Sequence, residues 1–230
     1  MIIGLVGFIG SGKGTVGDIL VNEYAFKQVA FADPLKDAVA SIFQWSRHML
    51  EGDTPESREW REKVDPWWTQ RLGYEVSPRL ILQRMGTEAT RNAIADNIWI
   101  TALDRRLEKG NDYVITDVRF PNEMEFIRSV GGSLVWVKRG EVPVWYDDAA
   151  STNTVGINLM EGYDIHESEW SWIGKRLDAT ITNDGTIDDL KIKVNTLLTT
   201  FNKSDMIHQD RKSTRLNSSH SQQSRMPSSA

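Results

Sequence analysis

The 230-residue chain contains no cysteine. That excludes a disulfide framework and any zinc or iron–sulfur site built on thiolates, and it fits a reducing compartment. No apolar run approaches the roughly 18 residues needed to span a bilayer, so no membrane partner is expected. The opening Met1-Ile2-Ile3-Gly4-Leu5 lacks the basic stretch of a secretory signal. Positive charge is in short supply: 27 Lys and Arg stand against 32 Asp and Glu, a formal net charge of −5. A protein that grips duplex nucleic acid needs a basic footprint, so no nucleic-acid partner is expected either. A cytoplasmic protein with one main domain is the expectation, and the length is ample for a buried core.

Residues 203–230 differ from the rest. They hold 8 Ser, 5 Lys or Arg and few apolar residues, too little to offset the entropy of ordering, so a disordered tail is expected. The run Arg211-Lys212-Ser213-Thr214-Arg215-Leu216-Asn217-Ser218-Ser219-His220 reads like translated sequencing adapter. Without the tail the balance is 22 basic against 30 acidic residues, so the folded part is more acidic than the whole.

What is present is an alternation of short apolar runs and helical patterns. Strands are expected at Met1–Val6, Gln28–Phe31, Tyr113–Thr116, Leu134–Val137 and Ala179–Thr182. Helices are expected from Lys13, Asp33, Ser77, Ile98, Pro121 and Thr186. Asp33-Pro34 and Ser77-Pro78 read as an N-cap followed by proline at the first helical position. This alternation predicts an α/β fold with a five-stranded parallel sheet covered on both faces. Residues 45–77 and 138–175 read as irregular, the first as an insertion over the core.

Gly7-Phe8-Ile9-Gly10-Ser11-Gly12-Lys13 fits G-x-x-x-x-G-K between a strand and a helix, the context that gives this motif its meaning. Glycines let backbone N–H groups turn inward as an anion nest, and the following helix adds the positive end of its dipole. Lys13 supplies a mobile charge for the terminal phosphates. Gly14 stands where a magnesium-binding hydroxyl is usual, and the hydroxyl comes at Thr15, expected to bond a phosphate. Magnesium would then rest mainly on phosphate and water oxygens. The string Gly10-Ser11-Gly12-Lys13-Gly14-Thr15 resembles the phosphate loop of nucleoside monophosphate kinases.

Asp117 ends the third strand, where a Walker-B-type aspartate stands, and would meet a metal through water; a helix cap is the competing reading. Arg119 follows two residues later. Lys36 is placed to meet an acceptor phosphate, and Asp33 is either a cap or a ligand. Arg84 and Arg91 are seven apart, on one face of an unbroken helix, and two arginines there would clamp a monophosphate. A solvated face is their alternative. Gly86-Thr87 lies between them.

Phe31-Ala32-Asp33-Pro34-Leu35-Lys36-Asp37-Ala38, Gln83-Arg84-Met85-Gly86-Thr87-Glu88, Asp117-Val118-Arg119-Phe120-Pro121-Asn122-Glu123, His166-Glu167-Ser168-Glu169 and Ile181-Thr182-Asn183-Asp184-Gly185 follow the phosphate loop in order. With that loop they resemble bacteriophage-type deoxynucleoside monophosphate kinases, from Met1 to about Phe201. The resemblance implies a P-loop kinase fold and transfer of the ATP γ-phosphate, with Mg2+, to a deoxynucleoside monophosphate. It implies an acceptor site drawn from Asp33, Lys36, Arg84, Thr87, Arg91 and Arg119, and is compatible with a homodimer. It places a lid at about 139–175, with Arg139 as its transition-state cation, the His166 block beside it, and Asn183 and Gly185 near the adenine. Thr186 with Asp189 also reads as a plain helix start. Trp45, Trp60, Trp67, Trp68 and Trp99 invite a base-stacking role, but packing is the simpler reading. A dephospho-coenzyme A kinase, a ribonucleotide kinase and a non-catalytic ATP-binding module are the alternatives.

Overall fold

The structure, a computed structural model, describes residues 1–91 and 93–203, without the side chains of Thr87 and Glu88. The tail expected to be disordered lies, beyond Lys203, outside the described residues. Five parallel strands form one sheet: β1 (Ile2–Val6), β2 (Lys27–Val29), β3 (Tyr113–Ile115), β4 (Ser133–Lys138) and β5 (Ala179–Thr182), in the order β2-β3-β1-β4-β5. The apolar runs are short and β-branched, and sheet residues such as Ile3, Leu5, Val114 and Val135 are buried, as a sheet covered on both faces requires. Gly4 pairs with Ile115 on one side and Leu134 on the other. A Cβ there would lie 2.5 Å from Ile127 Cδ1, so this glycine lets the overlying helix press against the sheet.

The helices are α1 (Lys13–Tyr24), α2 (Asp33–Phe43), α3 (Pro55–Glu62), α4 (Pro66–Leu72), α5 (Pro78–Gln83), α6 (Ile98–Asp104), α7 (Pro121–Ser129), α8 (Tyr146–Val155) and α9 (187–203). α1 and α9 cover one face through Val16, Leu20, Leu190 and Val194. α6, α7 and α8 cover the other through Leu103, Ile127 and Ala149, joined by Trp172. A third cluster joins α2 to the insertion through Val39, Phe43, Leu50, Val76 and Trp99. The segments that follow all five strands emerge at one edge of the sheet, the edge where open α/β sheets bind ligands.

Several expectations need correction. The second strand is Lys27–Val29, ending before Phe31. Asp33 does not cap forward: Ala32 holds the N-cap position, and the Asp33 carboxylate turns back to accept from Ala30 N at 2.7 Å. Residues 45–77 are not irregular. α3 and α4 begin at Thr54-Pro55 and Asp65-Pro66, the same cap-and-proline signal used at Ser77-Pro78. Arg84–Glu88 forms a π turn, which disrupts the helical phase on which a shared face for Arg84 and Arg91 depended. The stretch expected to be an irregular lid contains α8 and a short 3-10 turn at Glu167–Glu169. Much of it is built into the core: Ala149, Met160, Trp172 and Ile173 are buried.

Trp45, Trp60 and Trp68 of the insertion pack on one cluster with Phe43 and with Trp99 of α6, whereas Trp67 is exposed under Arg71. Trp45 stacks on Phe43 at 4.6 Å, Trp68 lies 4.7 Å from Phe43, and Trp99 donates its indole N–H to Gly86 O at 2.9 Å. Asp65 holds this group together: it accepts from Trp67 N at 2.9 Å, Trp68 N at 3.1 Å and the Trp45 indole at 2.8 Å. Asp65→Ala removes a helix cap and leaves an indole N–H without its acceptor. It is expected to lower stability by about 1–3 kcal/mol, measured by urea denaturation followed by tryptophan fluorescence.

Candidate active site

The phosphate loop has the backbone that its sequence requires. Gly7, Gly10 and Gly12 take φ of +144°, +79° and +96°. A Cβ at Gly7 would sit 2.4 Å from Val137 O, and one at Gly12 would sit 2.2 Å from Asn183 Nδ2. The loop is thus clamped between β4 and the turn after β5, and Asn183 Nδ2 donates to Ser11 O at 3.0 Å. Nothing lies within 4 Å of a Cβ built on Gly10 or Gly14, so the open side of the cradle is clear. The Ser11 hydroxyl is buried with no hydrogen-bond partner among the described residues. Lys13 Nζ donates to Gly7 O at 2.6 Å and Phe8 O at 3.0 Å. Burial, and then the nearby Arg119 guanidinium, lower its pKa to about 8. The negative charge of an entering phosphate would raise it again.

The loop is also buttressed from outside. The Phe8 ring lies 5.5 Å from Trp145 and 5.3 Å from Trp172, and Trp136 stacks on Tyr146 at 5.8 Å. The segment from 145 to 173 therefore braces the loop. At the start of the expected lid Arg139, Gly140 and Glu141 are exposed, and Gly140 N donates to Asp184 Oδ1 at 2.7 Å.

One cleft of about 1040 Å³ brings the loop together with the ends of β2, β3 and β4. Lys13, Thr15, Asp33, Lys36, Asp117 and Arg139 line it, as do Arg47, Glu51 and Arg106, three residues that sequence reading missed. Asp117 is half-buried, and each oxygen accepts a backbone N–H, from Phe31 at 2.9 Å and Ala32 at 3.0 Å. Burial raises its pKa, and the two N–H bonds oppose that. Arg47 pairs with Asp33 at 3.0 Å, with Asp37 at 2.6 Å and with Glu51. Lys36 meets Glu51 at 2.6 Å, and Arg106 meets Asp37 at 2.8 Å. Arg139 makes no hydrogen bond or ion pair with any described residue, so its charge is available to a ligand.

The remaining expected residues are dispersed. Arg84 sits over the Tyr74 ring at 4.7 Å, whereas Arg91 sits over Phe120 at 5.1 Å. They share no partner, and the paired clamp is not formed. The Thr87 side chain lies outside the described residues. Gly185 stands where a Cβ would be 2.6 Å from Asp189, whose carboxylate accepts from Thr186 N at 2.9 Å, the plain helix start. Arg119 pairs with Glu169 at 2.8 Å and with the Ser168 hydroxyl at 3.3 Å, which ties the Asp117 loop to the His166 block. Glu123, also missed as a functional residue, is buried at the start of α7. It accepts from Arg119 N at 2.8 Å and Phe120 N at 3.0 Å, with Arg91 at 3.7 Å. Pro121 with glutamate two residues on was its only local signal.

Burial, reinforced by the Asp117 charge, pushes the Glu123 carboxyl from 4.5 up to about 7. Its folded pKa lies above the unfolded one, so the neutral form favours folding below about pH 4.5, and this contribution fades as pH rises through about 7. Glu123→Gln keeps an oxygen acceptor for the two N–H groups. The variant is expected to lack the wild-type decline between these values, a difference of up to about 3 kcal/mol in paired urea titrations across pH.

A sequence model of the family described as deoxynucleotide monophosphate kinase matches residues 68–194. A protein of Acanthamoeba polyphaga mimivirus assigned as a deoxynucleotide monophosphate kinase is 32% identical over 179 residues, covering 72% of this chain and 86% of its own. The deoxynucleoside-5'-monophosphate kinase of Escherichia phage T5 is 46% identical over 55 residues, 23% of this chain and 22% of its own. Among solved structures, shikimate kinase from Aquifex aeolicus aligns over 90% of this chain and 99% of its own, at 18% identity and a TM-score of 0.45. With the phosphate loop at the head of a parallel sheet and a charged cleft beside it, the chain belongs to the deoxynucleotide monophosphate kinase family.

Proposed function

We propose that this chain transfers the γ-phosphoryl group of ATP to a deoxynucleoside monophosphate, giving ADP and a deoxynucleoside diphosphate. The observation that carries the reading is the joining of the phosphate loop to a separate group of cations in one cleft. A protein that only held ATP would have no use for the second group. The cleft is at the upper end of the range for small-molecule sites, as two adjacent nucleotides would require.

The transfer asks the protein for alignment and charge, not for a nucleophile. The backbone N–H groups of Gly10–Thr15 and the Lys13 ammonium hold the donor phosphates, and the unpartnered Ser11 hydroxyl fits the same cradle. Asn183 and Gly185 flank the donor side on the turn after β5. An oxygen of the acceptor phosphate attacks the γ-phosphorus, and the bond to the β–γ bridging oxygen breaks with its electron pair going to ADP. Arg139 meets the charge that spreads over the transferring group. Lys36, Arg91 and Arg119 are candidates for the acceptor side, and Asp33 orders that side by fixing the turn before α2.

Magnesium would supply further charge neutralisation on the phosphates. The cleft carboxylates suit a loosely held ion. Asp33, Asp37 and Glu51 are ion-paired, and Asp117 has both oxygens on backbone N–H groups. Phosphate and water oxygens would hold the ion, with Asp117 reaching it through water.

The test is ADP release with ATP and magnesium against the four deoxynucleoside monophosphates, the four ribonucleotides and dephospho-coenzyme A. Turnover is expected with at least one deoxynucleotide. Lys13→Ala is expected to lower kcat by at least about a hundredfold. Arg139→Ala is expected to lower kcat by about a thousandfold while the KM for ATP moves little. ATP binding without acceptor-dependent turnover would overturn the reading.

A further inference from the structure

The acceptor end of the cleft contains a pair of cations that share one carboxylate. Glu51 Oε2 accepts from Lys36 Nζ at 2.6 Å, and Glu51 Oε1 accepts from Arg47 Nη1. Lys36 is one turn into α2, whereas Arg47 and Glu51 lie on the turn that follows α2, at i and i+4. All three line the cleft that also contains the phosphate loop.

The three carboxylates around Arg47 are not equivalent. Asp33 is fixed by the Ala30 backbone N–H at 2.7 Å, and Asp37 is shared with Arg106 at 2.8 Å. Among the described residues the Glu51 side chain has only Lys36 and Arg47 as partners. Withdrawing it would therefore leave no backbone group unsatisfied, only two cations. Lys36 is 13% exposed and Glu51 32%, so the ammonium is sheltered while the carboxylate faces the opening. A planar carboxylate offering one oxygen to each cation makes the contacts that two oxygens of a phosphate would make. A phosphate brings a second charge and a third oxygen.

We propose that Lys36 and Arg47 form the seat of the acceptor monophosphate and that the Glu51 carboxylate occupies this seat in the free enzyme until the acceptor phosphate displaces it. This inference rests on the kinase reading above. Glu51 is then an internal competitor. Removing its charge while keeping its shape makes acceptor binding tighter, whereas a residue that merely holds Lys36 and Arg47 in place would weaken binding when altered.

The test is steady-state kinetics of the full chain with the deoxynucleoside monophosphate that the wild type turns over. Glu51→Gln is expected to lower the acceptor KM by roughly fivefold, the scale of one partly exposed ion pair, with the ATP KM unchanged. Arg47→Met is expected to raise the acceptor KM tenfold or more, again without moving the ATP KM, and Arg47→Lys to restore part of the loss. Circular dichroism checks that each variant folds, and Glu51→Gln decides the matter alone if Arg47→Met does not. An acceptor KM that is unchanged or raised in Glu51→Gln overturns the seat and leaves the kinase reading intact. Absence of turnover by the wild type with every deoxynucleotide overturns that reading, and the seat with it.

Discussion

The architecture of the cleft depends on one half-buried carboxylate. Asp117 leaves the end of β3 and gives each oxygen to a backbone N–H of the segment entering α2. β2 is an edge strand of three residues, too short to fix the helix that follows it. The two bonds supply what the strand cannot. They join the end of an inner strand to the helix bearing Asp33, Lys36 and Asp37. Two charge-assisted bonds in a half-buried setting are worth well more than neutral ones, and their loss would leave a partly desolvated anion unpaired. Distances between donor and acceptor groups are thereby set by the sheet, not by a loop.

The opposite wall is held by a different force. Phe8 projects from the phosphate loop into Trp145 and Trp172, and Trp136 with Tyr146 extends the contact. Edge-to-face and stacked rings of this kind bury large areas with few rotatable bonds. One wall is thus rigid through packing, and the other is poised through charge. Asp33, Asp37 and Glu51 balance Lys36, Arg47 and Arg106, so this end of the cleft is close to neutral before any ligand arrives. Arg139 stands outside this balance.

Much of this was legible in the sequence where the signal is local. The five strands and the phosphate loop follow from apolar runs, glycine spacing and a helix start, each readable within a dozen residues. The insertion was half legible: Thr54-Pro55 and Asp65-Pro66 carry the same signal as Ser77-Pro78, but surrounding charge and tryptophan obscured the helical period. Arg84 and Arg91 were misplaced because the π turn between them has no signature beyond Gly86-Thr87. The burial of Glu123 was out of reach, since it is a tertiary effect that brings Arg91, 32 residues away, against its carboxylate. Arg47 and Glu51 carried an i, i+4 hint, but only the fold brings them opposite Lys36.

Leu50, next to Glu51, is fully buried in the cluster formed with α2 and the insertion. The backbone of that turn is therefore pinned, and the motion left to Glu51 is rotation about its own side-chain bonds. Such a rotation breaks two ion pairs but moves no loop or domain. The displacement proposed for Glu51 therefore asks for no rearrangement of the backbone that carries Lys36 and Arg47.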